Sequence, residues 1–496
     1  MATNKPQATS EYTTTIGIEC HVQLKTKTKL FAAVDNDARE SAPNTHISHI
    51  CLGMPGALPV LNKEAVRLAS KAAIALNTEA QVISSFDRKH YFYPDLPKGY
   101  QITQQAHPIV LGGSVSIIGD NGSLREISLE RAHLEEDAGK NTHPEVGDYS
   151  LVDLNRAGTP LLEIVSKPEL SSAQEARAYA HELYLLMRYS GVSDADLYHG
   201  NMRFDVNVSV SKTEVLGTRT ETKNLNSFRS VEKAVEYEVS RQIAVLEAGD
   251  TVIQETRGWN DAKQKTISQR SKEEAHDYRY FPEPDIPPIR LDEVFLKEVR
   301  QNIPQMPAEI RIALRDRCLT QEHIEILLEA ELDDEMISYL GTLLDNELDT
   351  DMVTAIANLM VQTEIPKRRS EELPNAPALE VAQRTAIYTE VSKLAQAGSV
   401  SSTNAKALLQ DLLFSGARPK NIEAYAEQQG YIQVSDTSEL EQIVDAVISE
   451  NAQAAEDVQS GEMKAIGFLV GQAMKKSHGQ ANPALIKEIL QKKLSS

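Results

Sequence analysis

Cysteine is scarce in this chain: Cys20, Cys51 and Cys318 are the only three in 496 residues, widely spaced and odd in number. A disulfide framework is therefore excluded as the organising device, and a reducing compartment fits. No apolar run approaches the ~20 residues of a membrane-spanning helix, and the stretch from Met1 to Thr15 is polar, without the apolar core of a signal peptide. A cytoplasmic protein with no membrane contact is expected. Also missing are the Gly-x-x-x-x-Gly-Lys-Ser/Thr loop, which excludes P-loop nucleotide binding, and the Gly-x-Ser-x-Gly elbow of serine hydrolases. Positive charge is in deficit, with a net charge of −21, which argues against wholesale wrapping by nucleic acid.

Strands that sort polar from apolar residues are present in number. In Ile16 to Leu24 the two-residue period of a strand puts Ile16, Ile18, Cys20, Val22 and Leu24 on one face and Glu19, His21 and Gln23 on the other. The first face suits a core; the second carries what a divalent cation or a proton transfer needs, or a solvated sheet face. Cys20 points away from His21, so a Cys–His nucleophile pair is not expected. The device recurs in Arg203 to Val210, where Phe204, Val206, Val208 and Val210 oppose Arg203, Asp205, Asn207 and Ser209. It recurs again where Arg219, Glu221 and Lys223 share a side. Glu163 is a lone carboxylate in the apolar run Leu161 to Val165, and an ionised carboxylate in apolar surroundings must be paired or coordinated. Several strands presenting carboxylates to one face resemble a metal–nucleotide platform.

Aromatic residues make up only 5% of the chain, yet five of them crowd into Phe86 to Tyr100, among Arg88, Lys89 and Lys98. These could stack a base beside phosphate-binding cations, or pack as a loop corner. His133 to Lys140 supplies three consecutive carboxylates, Glu135, Glu136 and Asp137. Periodicity leaves open whether Glu135 or Glu136 faces a site, because neighbours in a strand point opposite ways. His46, His49 and Cys51 have a metal-like look, but no second ligand pair precedes them in the Phe31 to Pro43 loop.

About three domains are expected from the length. Short strands and turns from about Thr13 to Pro288 predict an α+β domain built on largely antiparallel sheet. Four prolines between Phe281 and Pro288 mark its end. Beyond them apolar residues recur at three and four, as in Glu322 to Leu332 and Asp351 to Met360, which predicts helices. A second break falls at Gly398 to Ser402, whose serines suit the N-cap of a helix carrying Leu408, Leu409, Leu412 and Leu413. A last helix is announced by Asn482 as cap and Pro483 at its first position. The expected partition is 1–292, 293–402 and 403–496. From Ser460 onward six lysines stand against two glutamates, a local balance of +4 that leaves −25 on the remainder. Such a patch suits a limited nucleic-acid contact or a solubilising helix face.

Taken together, several segments resemble one family, the B subunit of the aspartyl/glutamyl-tRNA amidotransferase, from end to end. They are Ile18 to Leu24, Phe86 through Ile102, His133 to Lys140, Asp153 to Ile164, Lys223 to Phe228 and Asp277 to Pro284. Lys464 to Gln472, with Gly479 to Pro483, is similar to the family's helical tail, which is related to the YqeY proteins. The resemblance implies a glutamine-synthetase-like cradle domain, a helical domain and a helical tail. It implies a reaction in which ATP phosphorylates the side-chain carboxylate of a misacylated Glu-tRNA(Gln) or Asp-tRNA(Asn), and ammonia then displaces phosphate. It also implies two partner chains, a glutaminase of the amidase type that makes the ammonia (the A subunit) and a small third chain (the C subunit).

Residue by residue, the resemblance places Mg²⁺ on His21, Glu136 and Glu163. Glu19, Asp205 and Glu221 occupy further acidic positions, suited to a second Mg²⁺ or to steering ATP and ammonia. Arg88 and Lys89 become contacts for phosphate or for the tRNA end. Some members carry zinc-binding cysteine pairs near Phe31 and Cys51; only Cys51 is present here, so no zinc is expected. Against this enzyme reading stand a non-catalytic tRNA-docking scaffold and a free-standing carboxylate–amine ligase. Carboxylates on several core strands favour the enzyme, because docking RNA onto acidic strands is electrostatically unfavourable.

Overall fold

The computed structural model describes residues 11–144, 146–271, 277–333, 337–370, 379–433, 437–460, 464–477, 481 and 483–494. The chain divides into two compact units, Met1–Pro307 and Ala308–Ser496. The first is α+β and the described part of the second is helical, as the hydropathy periods predict.

The first unit is built on one large sheet. Its path runs through β1 (Thr13–Gln23), β2 (Asp87–His90), β3 (Tyr100–Thr103), β4 (Leu124–Glu136), β5 (Pro160–Ser166), β6 (Met202–Ser211), β7 (Thr220–Leu225), β8 (Glu255–Asn260), β9 (Lys265–Ser271) and β10 (Phe281–Pro282). Their spatial order is β9-β8-β7-β6-β1-β5-β4-β3-β2-β10. Every neighbouring pair is antiparallel except β7 and β8. The strand with the cleanest alternation, β1, sits near the middle, where both of its edges are paired. Its apolar face is closed: Ile16, Ile18, Cys20, Val22 and Leu24 are each at most 1% exposed. Burying an aliphatic side chain of this size stabilises the fold by ~1.5–3 kcal/mol.

Three helices supply much of the cover: α1 (Lys63–Ala75), α2 (Ala173–Tyr189) and α3 (Phe228–Glu247). Each starts on a side chain that accepts a hydrogen bond from its first turn, Asn62, Ser172 and Ser227 respectively. Their buried residues, among them Ala69, Tyr179, Leu183 and Val231, join the β1 face in one core. With that side of the sheet filled, the alternation sends the polar residues to the other.

The proline run is more structured than its composition suggests. Phe281–Pro282 pairs with Arg88 and Asp87 as an edge strand, where a missing N–H costs little. The next helix, α4 (Glu293–Gln301), packs on α1, and the first unit extends to Pro307 rather than stopping at 292.

In the second unit helices occupy Gln321–Ala330 and Thr350–Leu359, close to the expected spans. Ser401 caps the helix Ser402–Phe414, accepting from Asn404 N at 3.1 Å. That helix packs on Val381–Gln396, across the expected break at 402. The bundle continues to Gln433, whose N–H donates to Ser399 O at 2.7 Å, beside a bridge between Val400 and Ile432. The helices Thr437–Glu450, Ala452–Gln459, Ala465–Lys476 and Pro483–Leu494 enclose a separate core of Leu440, Val444, Leu469, Ile486 and Leu490. Pro483 opens the last helix as expected, while Asn482, Gly479 and Gln480 lie outside the described residues. Among the described residues no helix is long and apolar enough to cross a membrane.

Candidate active site

Register converts the alternation of single strands into a site. On β1, His21 stands opposite Glu163 of β5 on one side and Arg203 of β6 on the other, and Glu163 in turn stands opposite His133 of β4. Directly paired residues share a face, so His133, Glu163, His21 and Arg203 form a row across four strands. Two residues along β1, Glu19 faces Asp205, and Asn207 beyond it faces Glu221. All of these lie on the face opposite the core.

Two ligand groups result. The donor atoms of His21, Glu135 and Glu163 lie within 4.8 Å of one another, and so do those of Glu19, Asp205 and Glu221. In the first group His21 Nε2 is 3.4 Å from Glu163 Oε2. His133 Nε2 is 3.6 Å from both Glu135 Oε2 and Glu163 Oε2. Burial opposes ionisation of Glu163, but His133, His21 and Lys89 outweigh it and hold the carboxyl well below its ordinary value. Glu135 behaves alike: burial and Glu163 push its pKa up, and His133 and Lys89 bring it below normal. Both are anionic at neutral pH, as a hard cation requires.

The second group carries its own counter-charge. Lys223 Nζ donates to Asp205 Oδ2 at 2.9 Å and lies 2.8 Å from Glu221 Oε1. Asn207 donates to Glu19 at 3.0 Å and Thr256 to Glu221 at 3.0 Å. Burial, with Glu163 and Glu221 nearby, raises the pKa of Glu19, whereas Lys223 and His21 override burial to lower that of Asp205.

Among the expected site residues, the structure brings together His21 and Glu163, and separately Glu19, Asp205 and Glu221. It does not bring Glu136 to the first group. Glu135 takes that place, because it shares strand parity with His133, which is paired to Glu163. Glu136 faces the other way, where it accepts from Lys98 and from Ile102 N, the latter at 2.9 Å. The two basic expectations also separate. Lys89 has Tyr278 5.0 Å from its ammonium, and Glu135 is the strongest of the charges that raise its pKa against burial. Arg88 points away and is committed to Glu283, at 2.7 and 3.0 Å, and to Asp285. Its guanidinium covers the Tyr100 ring at 4.3 Å, so it fastens the edge strand rather than meeting a ligand.

Cys20 is fully buried on the core face, and burial pushes its thiol well above the ordinary range. The Cys51 sulfur lies 3.7 Å from the buried ammonium of Lys29. His46 spends its nitrogens on Ser41 Oγ at 2.8 Å and Asp35 O at 3.3 Å.

Sequence reasoning missed His133 and the role of Arg203. The signal for the first was the His133-x-Glu135 spacing, which puts both on one strand face. Arg203 Nη2 is 3.3 Å from Asp137 Oδ1, and Arg156 Nε is 3.2 Å from Asp137 Oδ2. Two guanidiniums share one carboxylate beside His21, and Asp205 and Glu135 also act on Arg203. A cavity of about 730 Å³ opens at the end of β1, bordered by Gln23, Asn201, Arg156 and Lys140.

Comparison with known proteins finds one family match within each of the two units. Residues 14–297 match the GatB/GatE catalytic domain, and residues 356–494 match the GatB domain. The B subunit of the aspartyl/glutamyl-tRNA(Asn/Gln) amidotransferase of Carboxydothermus hydrogenoformans is 42% identical over 494 residues, covering 98% of this chain and 99% of that one. The protein of the same name from Persephonella marina is 42% identical over 489 residues, covering 98% and 100%. That from Brevibacillus brevis is 41% identical over 494 residues, covering 98% and 100%.

Proposed function

Because the chain belongs to the family of aspartyl/glutamyl-tRNA(Asn/Gln) amidotransferase B subunits, a family of ligases, we propose that the polar face of its sheet is where ATP activates the misacylated tRNA. The γ-phosphoryl group passes to the side-chain carboxylate of Glu-tRNA(Gln) or Asp-tRNA(Asn). Ammonia then attacks the acyl phosphate and inorganic phosphate leaves, giving Gln-tRNA(Gln) or Asn-tRNA(Asn). The observation that carries this reading is the pair of ligand groups lying in register on one rigid face.

His21, Glu135 and Glu163 have the donor chemistry to hold one Mg²⁺, and Glu19, Asp205 and Glu221 to hold a second or to steer ATP. Bound there, Mg²⁺ would neutralise phosphate oxygens, a role that phosphoryl transfer depends on when no phosphate loop exists. Lys89 supplies a fixed cation on the same face, and the guanidiniums of Arg203 and Arg156 suit the substrate carboxylate. The cavity at the end of β1 is the proposed entry for the aminoacyl end of the tRNA.

The proposal extends to the assembly and the domains. The chain works in the cytoplasm with two partners, the glutaminase (the A subunit) and the small C subunit. Its parts are a glutamine-synthetase-like cradle ending near Pro307, a helical domain to about Gln433 and a YqeY-like tail beyond it. The test uses the assembled complex. Glu163→Gln keeps the shape and removes an anion, so it should abolish tRNA-dependent ATP cleavage while the partner's glutaminase activity remains measurable. Normal amidation by that variant at limiting Mg²⁺, or ATP cleavage that needs no misacylated tRNA, overturns the reading.

A further inference from the structure

His133 is 4% exposed, on a strand paired on both sides, with its Nε2 directed between Glu135 and Glu163. At 3.6 Å from each carboxylate oxygen it is too far for a good hydrogen bond to either. Its Nδ1 is buried and has no hydrogen-bond partner among the described residues. A buried imidazole normally satisfies at least one nitrogen. Here Nε2 is aimed at the same two oxygens that converge with His21.

Adjacent ligands on a six-coordinate ion with bonds of ~2.1 Å stand about 3 Å apart. The separations of 3.4 Å from His21 Nε2 to Glu163 Oε2, and 3.6 Å from His133 Nε2 to Glu163 Oε2 and to Glu135 Oε2, need a few tenths of an ångström of contraction, and His133, which lies outside the set of donors all within 4.8 Å of one another, must also move toward His21 to share the ion. We propose that His133 is a fourth protein donor to the cation held by His21, Glu135 and Glu163, and that this two-imidazole, two-carboxylate set favours a first-row transition ion over magnesium. The inference rests on the cation reading of the first ligand group. Its chemical basis is donor softness: magnesium prefers an all-oxygen shell with several waters, while imidazole nitrogen suits first-row transition ions. The group of Glu19, Asp205 and Glu221 has oxygen donors alone and serves as the internal contrast.

The full-length chain in magnesium-free buffer, titrated with manganese(II) and read by pulsed electron paramagnetic resonance, tests the idea without any activity assay. Two directly bound imidazole nitrogens are expected in the wild type and one in His133→Gln. The variant should bind manganese roughly 10- to 100-fold more weakly, with a smaller loss for magnesium. A single nitrogen in the wild type, unchanged by His133→Gln, overturns the fourth donor. Magnesium displacing the ion when equimolar with manganese overturns the selectivity. If His133→Gln does not fold, the wild-type nitrogen count decides by itself. No nitrogen coupling at all, with Glu163→Gln indistinguishable from wild type, would instead sink the cation reading on which the inference stands.

Discussion

Glu135 and Glu136 are the same chemical group one residue apart, and only the second strand tells them apart. The tie was visible in the sequence but could not be broken there, because it depends on which residue of β5 pairs with which of β4. Substituting each in turn tests the assignment. Glu135→Gln should weaken divalent-cation binding by about 10-fold or more. Glu136→Gln should leave that binding in place and instead destabilise the first unit by ~3 kcal/mol, since it strands the buried Lys98 ammonium without its counter-charge. Calorimetric metal titration and urea unfolding of the two variants distinguish the cases, and the reverse pattern restores Glu136 as the ligand. Other residues were legible for the same physical reason that this one was not. Cys20 and His21 belong to a strand whose apolar members occupy every second position, so their faces follow from counting. Arg88 and Lys89 follow from nothing so simple: the other two residues of their strand, Asp87 and His90, are polar too, and only Glu283, arriving from nearly two hundred residues away, shows that Arg88 is occupied.

At the scale of the element, the far edge of the sheet is clamped by a buried carboxylate that no sequence pattern announces. Glu238 of α3 is fully buried and accepts from Thr220 of β7 at 2.7 Å, from Thr266 of β9 at 3.0 Å and from Arg241 at 3.0 Å, with Arg257 of β8 at 3.4 Å. Burial raises its pKa, but Arg241 and Thr220 outweigh burial and the net shift is downward from 4.5. A carboxyl depressed on folding contributes stability that is fully present above its unfolded value and is lost as pH falls through the folded one. Wild-type stability at this edge should therefore hold down to about pH 4.5 and decline below it. Glu238→Gln should lose ~3 kcal/mol already at neutral pH and show a shallower acid decline. Trp259, the only tryptophan, lies on β8 two residues from Arg257, so its fluorescence in urea at several pH values reports this. Equal acid slopes in the two proteins would contradict it. Elements whose order comes from composition, such as β1, β6 and the helix Gln321–Ala330, were readable. Those fixed by a distant partner, such as the Phe281–Pro282 edge strand, were not.

The whole molecule sets a problem that neither scale answers: a chain of net charge −21 must hold an RNA. The lysine-rich terminus is the part with the right sign, but its lysines are not equivalent. Lys476 pairs with Glu450 and Lys493 with Asp445, so within the Thr437–Leu494 bundle these two spend their charge on holding helices together. Lys464, Lys475 and Lys487 are exposed and carry no ion pair among the described residues, which leaves them as the candidates for phosphate. Reversing Lys475 and Lys487 to glutamate should weaken tRNA binding and flatten its salt dependence by about 0.7–0.9 in the log–log slope for each contact removed. Reversing Lys476 and Lys493 should mainly lower the stability of the bundle. The deletion that matches this argument starts after Gln433, not at 403, because the helix Ser402–Phe414 packs against Val381–Gln396 and its loss would open that core. Filter binding across a salt series, with the first unit's metal titration as the control for folding, measures both. Unchanged affinity and slope for the Lys475 and Lys487 variant would move the docking surface off these helices and onto the first unit, where Arg203 and Arg156 stand beside the site.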